Sequence, residues 1–155
     1  MKNTKGVMNV EVKRIPPTEN EYVRIGCHKV DERVKEIVQF VRSRESILEV
    51  IRDGEQYTVS IGEIFYIESV DDKTFVYMEK DCYETRRKLY DLTEELKPNH
   101  FVRISKPIIV NLMKIVSIKP ALNGRYLCKL KNGEEVIISR KYVPEIKKKL
   151  RGDES

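Results

Sequence analysis

The sequence predicts a mainly β domain of short antiparallel strands with small helices, preceded by a small strand–strand–helix unit. Three observations point there. From residue 47 onward apolar residues recur with period two rather than 3.6, the mark of half-buried strands. Asp53-Gly54, Asn123-Gly124 and Asn132-Gly133 are dipeptides that accept the positive dihedrals of tight hairpin turns. The stretches with helical spacing are few and short.

Taken in order, residues 1–7 read as a loose tail, with Met8 an alternative start. NVEVKRI (residues 9–15) alternates, Pro16-Pro17 breaks it, and EYVRIGCHK (residues 21–29) resumes an extended pattern. Asp31 is suited to cap a helix, because its carboxylate accepts from the free amides of the first turn. Val30, Val34, Ile37, Val38 and Val41 then fall at helical spacing and form one apolar stripe. A polar run at 42–46 marks a boundary. The division is residues 1–46 as the N-terminal unit, 47–151 as the main domain and 152–155 as a tail.

Within the main domain ILEVIR and QYTVSI flank Asp53-Gly54 as a hairpin, and IFYIESV, KTFVYME and CYETRR follow as short strands. Asp71-Asp72 reads as a turn, since short acidic side chains support local backbone bonds. Leu89, Leu92 and Leu96 make the apolar face of one short helix that Lys97-Pro98-Asn99 stops. The strands FVRISKPIIV, KIVSIK, RYLCKL and EVIIS come next, for a total of about eight to ten. A last helix over roughly 142–150 accommodates Pro144 in its first turn.

Charge is distributed unevenly. Residues 1–100 hold 17 Lys+Arg against 20 Asp+Glu, whereas residues 101–151 hold 13 Lys+Arg against Glu134, Glu135 and Glu145 alone. From residue 98 to 133 there is no acid at all. A one-sided basic field favours a polyanion, either nucleic acid or an acidic membrane surface. The three cysteines, Cys27, Cys82 and Cys128, are odd in number and lack CxxC spacing, which fits reduced core or half-buried thiols in a cytoplasm. No apolar run reaches the ~20 residues that span a bilayer, and the basic N-terminus lacks the apolar stretch of a secretory signal.

No phosphate-cradling glycine loop, GxSxG, HExxH or paired metal-ligand spacing occurs, and the two histidines, His28 and His100, lie in different segments. The expectation is therefore no enzyme, no cofactor, no metal and no small-molecule substrate. The cations, by contrast, fall where strands meet loops. Lys106-Pro107 interrupts an apolar alternation, Ser139-Arg140-Lys141 closes a strand before the last helix, and Lys73-Thr74 occupies the turn between IFYIESV and FVYME. Each alone is an ordinary surface residue. Together they suit a rigid β scaffold presenting loop side chains to base edges.

IGEIFYIES, FVRISKPIIVNLMKI, an Asn-Gly hairpin turn and ISRKYVPEIKKKL together resemble the LytTR family of bacterial DNA-binding domains. Arg103, Val110 and Asn111 match the family's central motif, and Ser139, Arg140, Lys141 and Tyr142 match the motif before its last helix. The family's His-Arg-Ser is replaced by Ser105-Lys106-Pro107, which keeps a cation but loses a fork-shaped donor. The resemblance implies an elongated β fold that inserts its loops into successive major grooves of double-stranded DNA. It also implies the short, standalone kind of cytoplasmic regulator, since residues 1–46 are too few for a receiver domain. In that kind a membrane protein often serves as regulatory partner.

The expected groove contacts are Lys73, Thr74, Lys106, Arg140 and Lys141, and the expected phosphate contacts are Arg103, Lys129, Arg87 and Lys147. Asn111, at a strand end, is expected to make a structural side-chain-to-backbone bond. The stripe of the N-terminal helix is expected to pack on a second chain and form a homodimer, with its own chain's β domain as the other possible cover. The rival reading is a binding module for an anionic membrane or for the cytoplasmic face of a membrane partner, resting on the basic amphipathic tail KYVPEIKKKLR. Structured RNA is a third, weakened by the lack of a stacking platform.

Overall fold

A computed structural model describes residues 7–152. Strands β1 (Ile47–Arg52) and β2 (Glu55–Ser60) pair as a hairpin, and Asp53 and Gly54 between them both take positive φ. Strands β3 (Tyr66–Val70) and β4 (Lys73–Tyr77) are joined in the same way through Asp71 and Asp72, at φ of 49° and 65°. Both turns twist with the strands they join, which is why the hairpins close tightly. With β5 (Cys82–Thr85), β6 (Phe101–Ser105) and β7 (Ile108–Asn111) these strands build a seven-stranded antiparallel sheet in the order β2-β1-β5-β4-β3-β7-β6. A second sheet of three strands, β10-β9-β8, comprises β8 (Ile115–Pro120), β9 (Tyr126–Leu130) and β10 (Glu135–Ile138).

Period two delivers apolar residues to both faces of the large sheet. On one face Ile67, Val76 and Ile109 pack with Leu89, Leu92 and Leu96, from helix α2 (Leu89–Glu95) and its C-cap. On the other face Tyr66, Val102, Ile104 and Val110 pack with Cys128, Leu130, Val136 and Ile138 of the small sheet. Helix α3 (Val143–Leu150) adds Val143 and Ile146 to that second core. Two of its three apolar residues are thus taken up by the protein and only Leu150 stays exposed, which leaves little apolar face to lie in a membrane and weakens the footing of the membrane-surface reading. A register shift in β6 between Arg103 and Ser105 frees the Ile104 carbonyl to accept from the Ser139 amide at 2.8 Å, joining the two sheets. Asn111 makes the expected structural bonds. Its buried amide donates to the Ile64 carbonyl at 2.9 Å and accepts from the Met113 amide at 3.0 Å.

The N-terminal part differs from expectation. Helix α1 (Glu32–Glu45) is present, capped by Asp31, whose Oδ1 accepts from the Val34 amide at 3.0 Å. The two strands at 9–15 and 21–29 are absent: neither segment joins a ladder among the described residues. A strand is a pairing, and alternation alone supplies no partner. The α1 stripe also finds its cover in the same chain. Val34 is buried and Ile37, Val38 and Val41 half-buried, with the helix packed on the 3₁₀ turns Ile61–Glu63 and Lys97–Asn99. Val30 stays exposed. The ground for dimerisation through this stripe therefore falls away. Of the thiols only Cys128 is buried; Cys27 and Cys82 are exposed, contrary to expectation.

Candidate nucleic-acid interface

The antiparallel registers bring separate basic stretches to one end of the molecule. Val70 pairs with Lys73, Glu68 with Ile108 and Ile108 with Ser105, so the β3–β4 and β6–β7 turns leave the sheet side by side. The Ser69 amide donates to the Pro107 carbonyl at 2.8 Å and fixes that neighbourhood. Thr74 pairs with Thr85, so Arg86-Arg87-Lys88 leaves β5 at the same end. Through the Ile104–Ser139 bond the corner Ser139-Arg140-Lys141 arrives there as well. Beside it lies the β8–β9 turn, since Pro120 pairs with Tyr126 and Tyr126 with Ile138.

That turn is built around Arg140. Asn123 and Gly124 take φ of 61° and 75°, and a Cβ on Gly124 would sit 2.7 Å from Arg140 Cδ. Glycine is needed here twice over, for the dihedral and for the space. The other Asn-Gly turn is of a different kind: only Gly133 is left-handed, and a Cβ there would meet nothing within 4 Å.

Lys73, Lys106, Arg140 and Lys141 are all exposed at this end. Lys141 Nζ lies 5.6 Å from the centre of the Tyr142 ring. Lys147 is exposed beside them, donating to the Tyr126 hydroxyl at 3.2 Å and lying 5.1 Å from that ring's centre. Aromatic faces hold these ammonium groups without neutralising them. Lys106 and Arg140 form no ion pair in the described structure.

Four expected contacts fare differently. Thr74 is only 3% exposed, on the same face as Val76, and its side chain cannot reach a groove from there. Arg103 is half-buried and turned to α2, with Nη2 donating to Thr93 Oγ1 at 3.3 Å. Arg87 is exposed at the basic end but ion-paired with Glu95. Lys129 stands opposite Glu135 in the β9–β10 ladder, toward the other end of the small sheet. The topology adds residues that reading by segment missed: Arg86 and Lys88 after β5, and Lys119 and Arg125 flanking the β8–β9 turn, all exposed. The run Arg86-Arg87-Lys88 at a strand end was the available signal.

The opposite end carries the acids. The β1–β2, β4–β5 and β9–β10 turns meet there, with Arg52 paired to Asp81 at 3.1 Å and the Asn132 amide donating to the Glu79 carbonyl at 3.1 Å. Asp53, Glu55, Glu79, Asp81 and Glu134 cluster around these turns. Acids at the basic end include Asp71 and Asp72, held by the left-handed turn they form, and Glu95, which pairs with Arg87. Among the described residues no group of His, Cys, Asp and Glu could hold a metal ion, and no helix is long and apolar enough to cross a membrane.

Known proteins share this frame. A solved LytTr DNA-binding domain, of a protein described as a putative methyl-accepting/DNA response regulator from Bacillus cereus, superposes with a TM-score of 0.63 and 27% identity. The likeness covers 69% of this chain and 97% of that one. The transcriptional regulatory protein YpdB of Escherichia coli is 31% identical over 108 residues, covering 69% of this chain and 44% of YpdB. The sensory transduction protein LytT of Bacillus anthracis is 36% identical over 93 residues, 60% of this chain and 38% of LytT. The chain thus spans less than half the length of these two relatives. An uncharacterized HTH-type transcriptional regulator of Staphylococcus aureus matches over 131 residues at 25% identity, covering 83% of this chain and 88% of that protein. Residues 54–151 match the family model of the LytTr DNA-binding domain, and the chain belongs to the LytTR family of DNA-binding domains.

Proposed function

We propose that this chain is a cytoplasmic, non-enzymatic transcriptional regulator whose basic end reads double-stranded DNA in sequence-specific fashion through the major groove. The observation that carries the reading is the convergence at one end of cationic turns from four separate stretches: Lys73, Arg86, Lys106 and Arg140-Lys141. Turn residues protrude from a rigid sheet, which suits them to base edges, while cations on its flanks suit phosphates.

In this reading Lys106, Arg140, Lys141 and Lys73 enter the groove. Arg140 is the residue best matched to the two acceptors of guanine, because its guanidinium is a fork and Gly124 leaves it room. Lys147, Lys119, Arg125 and Arg86 hold phosphates beside it. Two such bodies in a homodimer would match a repeated DNA site. A membrane protein as regulatory partner belongs to the same reading, taken from the family resemblance.

Duplex affinity measured against salt tests it. Neutralised phosphates release condensed counterions, so log K should fall against log salt with a slope of about −0.9 per contacted phosphate. Anionic vesicles should compete poorly in the same buffer. Vesicle binding as strong as duplex binding, or a duplex affinity indifferent to salt, would overturn the reading.

A further inference from the structure

Residues 7–31 form an arm that joins no ladder among the described residues, and most of its apolar side chains are exposed, with Ile15 and Ile25 half-buried. Val10 and Val12 are 88% and 94% exposed, and Tyr22, Val23 and Val30 are exposed as well. The backbone bonds of the arm are local, from the Glu19 amide to the Pro16 carbonyl and from the Asp31 amide to the Lys29 carbonyl, both 3.0 Å. Alternating β-branched residues with unpaired amides and carbonyls make a template for strand pairing. The Staphylococcus aureus relative, whose match covers 83% of this chain, must align with part of the region before β1.

We infer that residues 9–15 pair antiparallel with the same residues of a second copy about a two-fold axis at Val12, joining two DNA-binding bodies. Charge selects both the occupant and the register. Antiparallel pairing of a segment with itself, centred on Val12, sets Glu11 opposite Lys13 of the second copy, and the symmetry repeats that pair. Val10 and Val12 share one face, and their counterparts extend it across the axis. Centred one residue earlier, Glu11 would oppose Glu11; one residue later, Lys13 would oppose Lys13. Like charges directly opposite destabilise a ladder and unlike charges stabilise it, so the sequence favours the Val12 centre over its neighbours.

Pro16-Pro17 ends the pairing because proline donates no ladder bond. Residues 21–29, returning after the Pro16–Glu19 turn, supply a flanking strand from each copy. Their presence matters, since an isolated two-stranded ribbon is marginal in water. The contact is isologous and closes at two chains, so it yields a dimer and not a filament.

This inference deepens the homodimer part of the proposed function, and its test separates it from DNA binding. The full-length chain is studied by sedimentation without DNA, and each variant is also titrated with duplex at concentrations below the dimer constant. Glu11→Lys alone and Lys13→Glu alone each place like charges opposite one another, and each should weaken the dimer by about tenfold. Mixing the two variants restores both pairs, as does the double variant, and dimerisation should return. The monomer's affinity for a single half-site should not change in any of them. Wild-type chain that is monomeric at micromolar concentration overturns the inference. So does a mixture that dimerises no better than its components, which would place the arm on a different partner or in a different register.

Discussion

His100, which caps the 3₁₀ turn just before β6, takes a conformation most residues avoid, with φ of 67° and its Nε2 buried without a partner. Burial holds its imidazole below the ordinary value of 6.5; nearby Glu36 opposes that shift and Lys149 adds to it. As pH falls below 6.5 the unfolded chain takes up a proton that the folded imidazole still refuses, so stability falls with pH until the folded group titrates too. The wild type should lose more thermal stability between about pH 7.5 and about pH 5 than His100→Asn, since asparagine tolerates the left-handed backbone but does not titrate. Parallel pH profiles for the two proteins would refute this. Period two by itself places two of the expected DNA contacts. Thr74 lies two positions before the buried Val76, and Arg103 two after the buried Phe101. Parity alone assigns Thr74 to the interior and Arg103 to the α2 face, against a role in the groove. Lys129 was not legible in this way, because its neighbour Glu135 is set by cross-strand register.

At the scale of elements, the strands from β1 to β10 were legible because each has an apolar period and a turn residue at its end. The two N-terminal strands failed for the converse reason: their period is present, but no described strand pairs with them. The two Asn-Gly turns looked alike in sequence and differ in structure, and that difference can be measured. Gly124→Ala and Gly133→Ala each force alanine into a left-handed conformation, at a cost to stability of about 1–2 kcal/mol. Only at Gly124 does the added Cβ meet Arg140, 2.7 Å from its Cδ. Chemical denaturation should therefore show similar losses for both variants, while duplex affinity should fall for Gly124→Ala alone. An equal fall in affinity for both would mean that Arg140 is not held in place by that turn.

The whole molecule is polarised, with cationic turns at one end and acidic turns at the other. Sequence revealed the imbalance as an acid-free stretch from residue 98 to 133, but it assigned the charge to the last third of the chain. The fold assigns it to an end. Lys73 and Arg86 join the basic edge from the chain's middle, while Lys129 leaves it from within the acid-free stretch. No count along the chain could make that exchange, since it depends on which turns the ladders bring together.

The most direct measurement compares Lys106→Ala, Arg140→Ala and Lys129→Ala on an operator selected from random duplexes and on a scrambled duplex of equal length. Lys106→Ala and Arg140→Ala should each lose about 1–3 kcal/mol of discrimination between the two duplexes. Lys129→Ala should bind both as the wild type does. Losses that are equal on operator and scrambled duplex would show that the edge only touches phosphates. A Lys129→Ala loss matching the other two would show that DNA does not lie along this end.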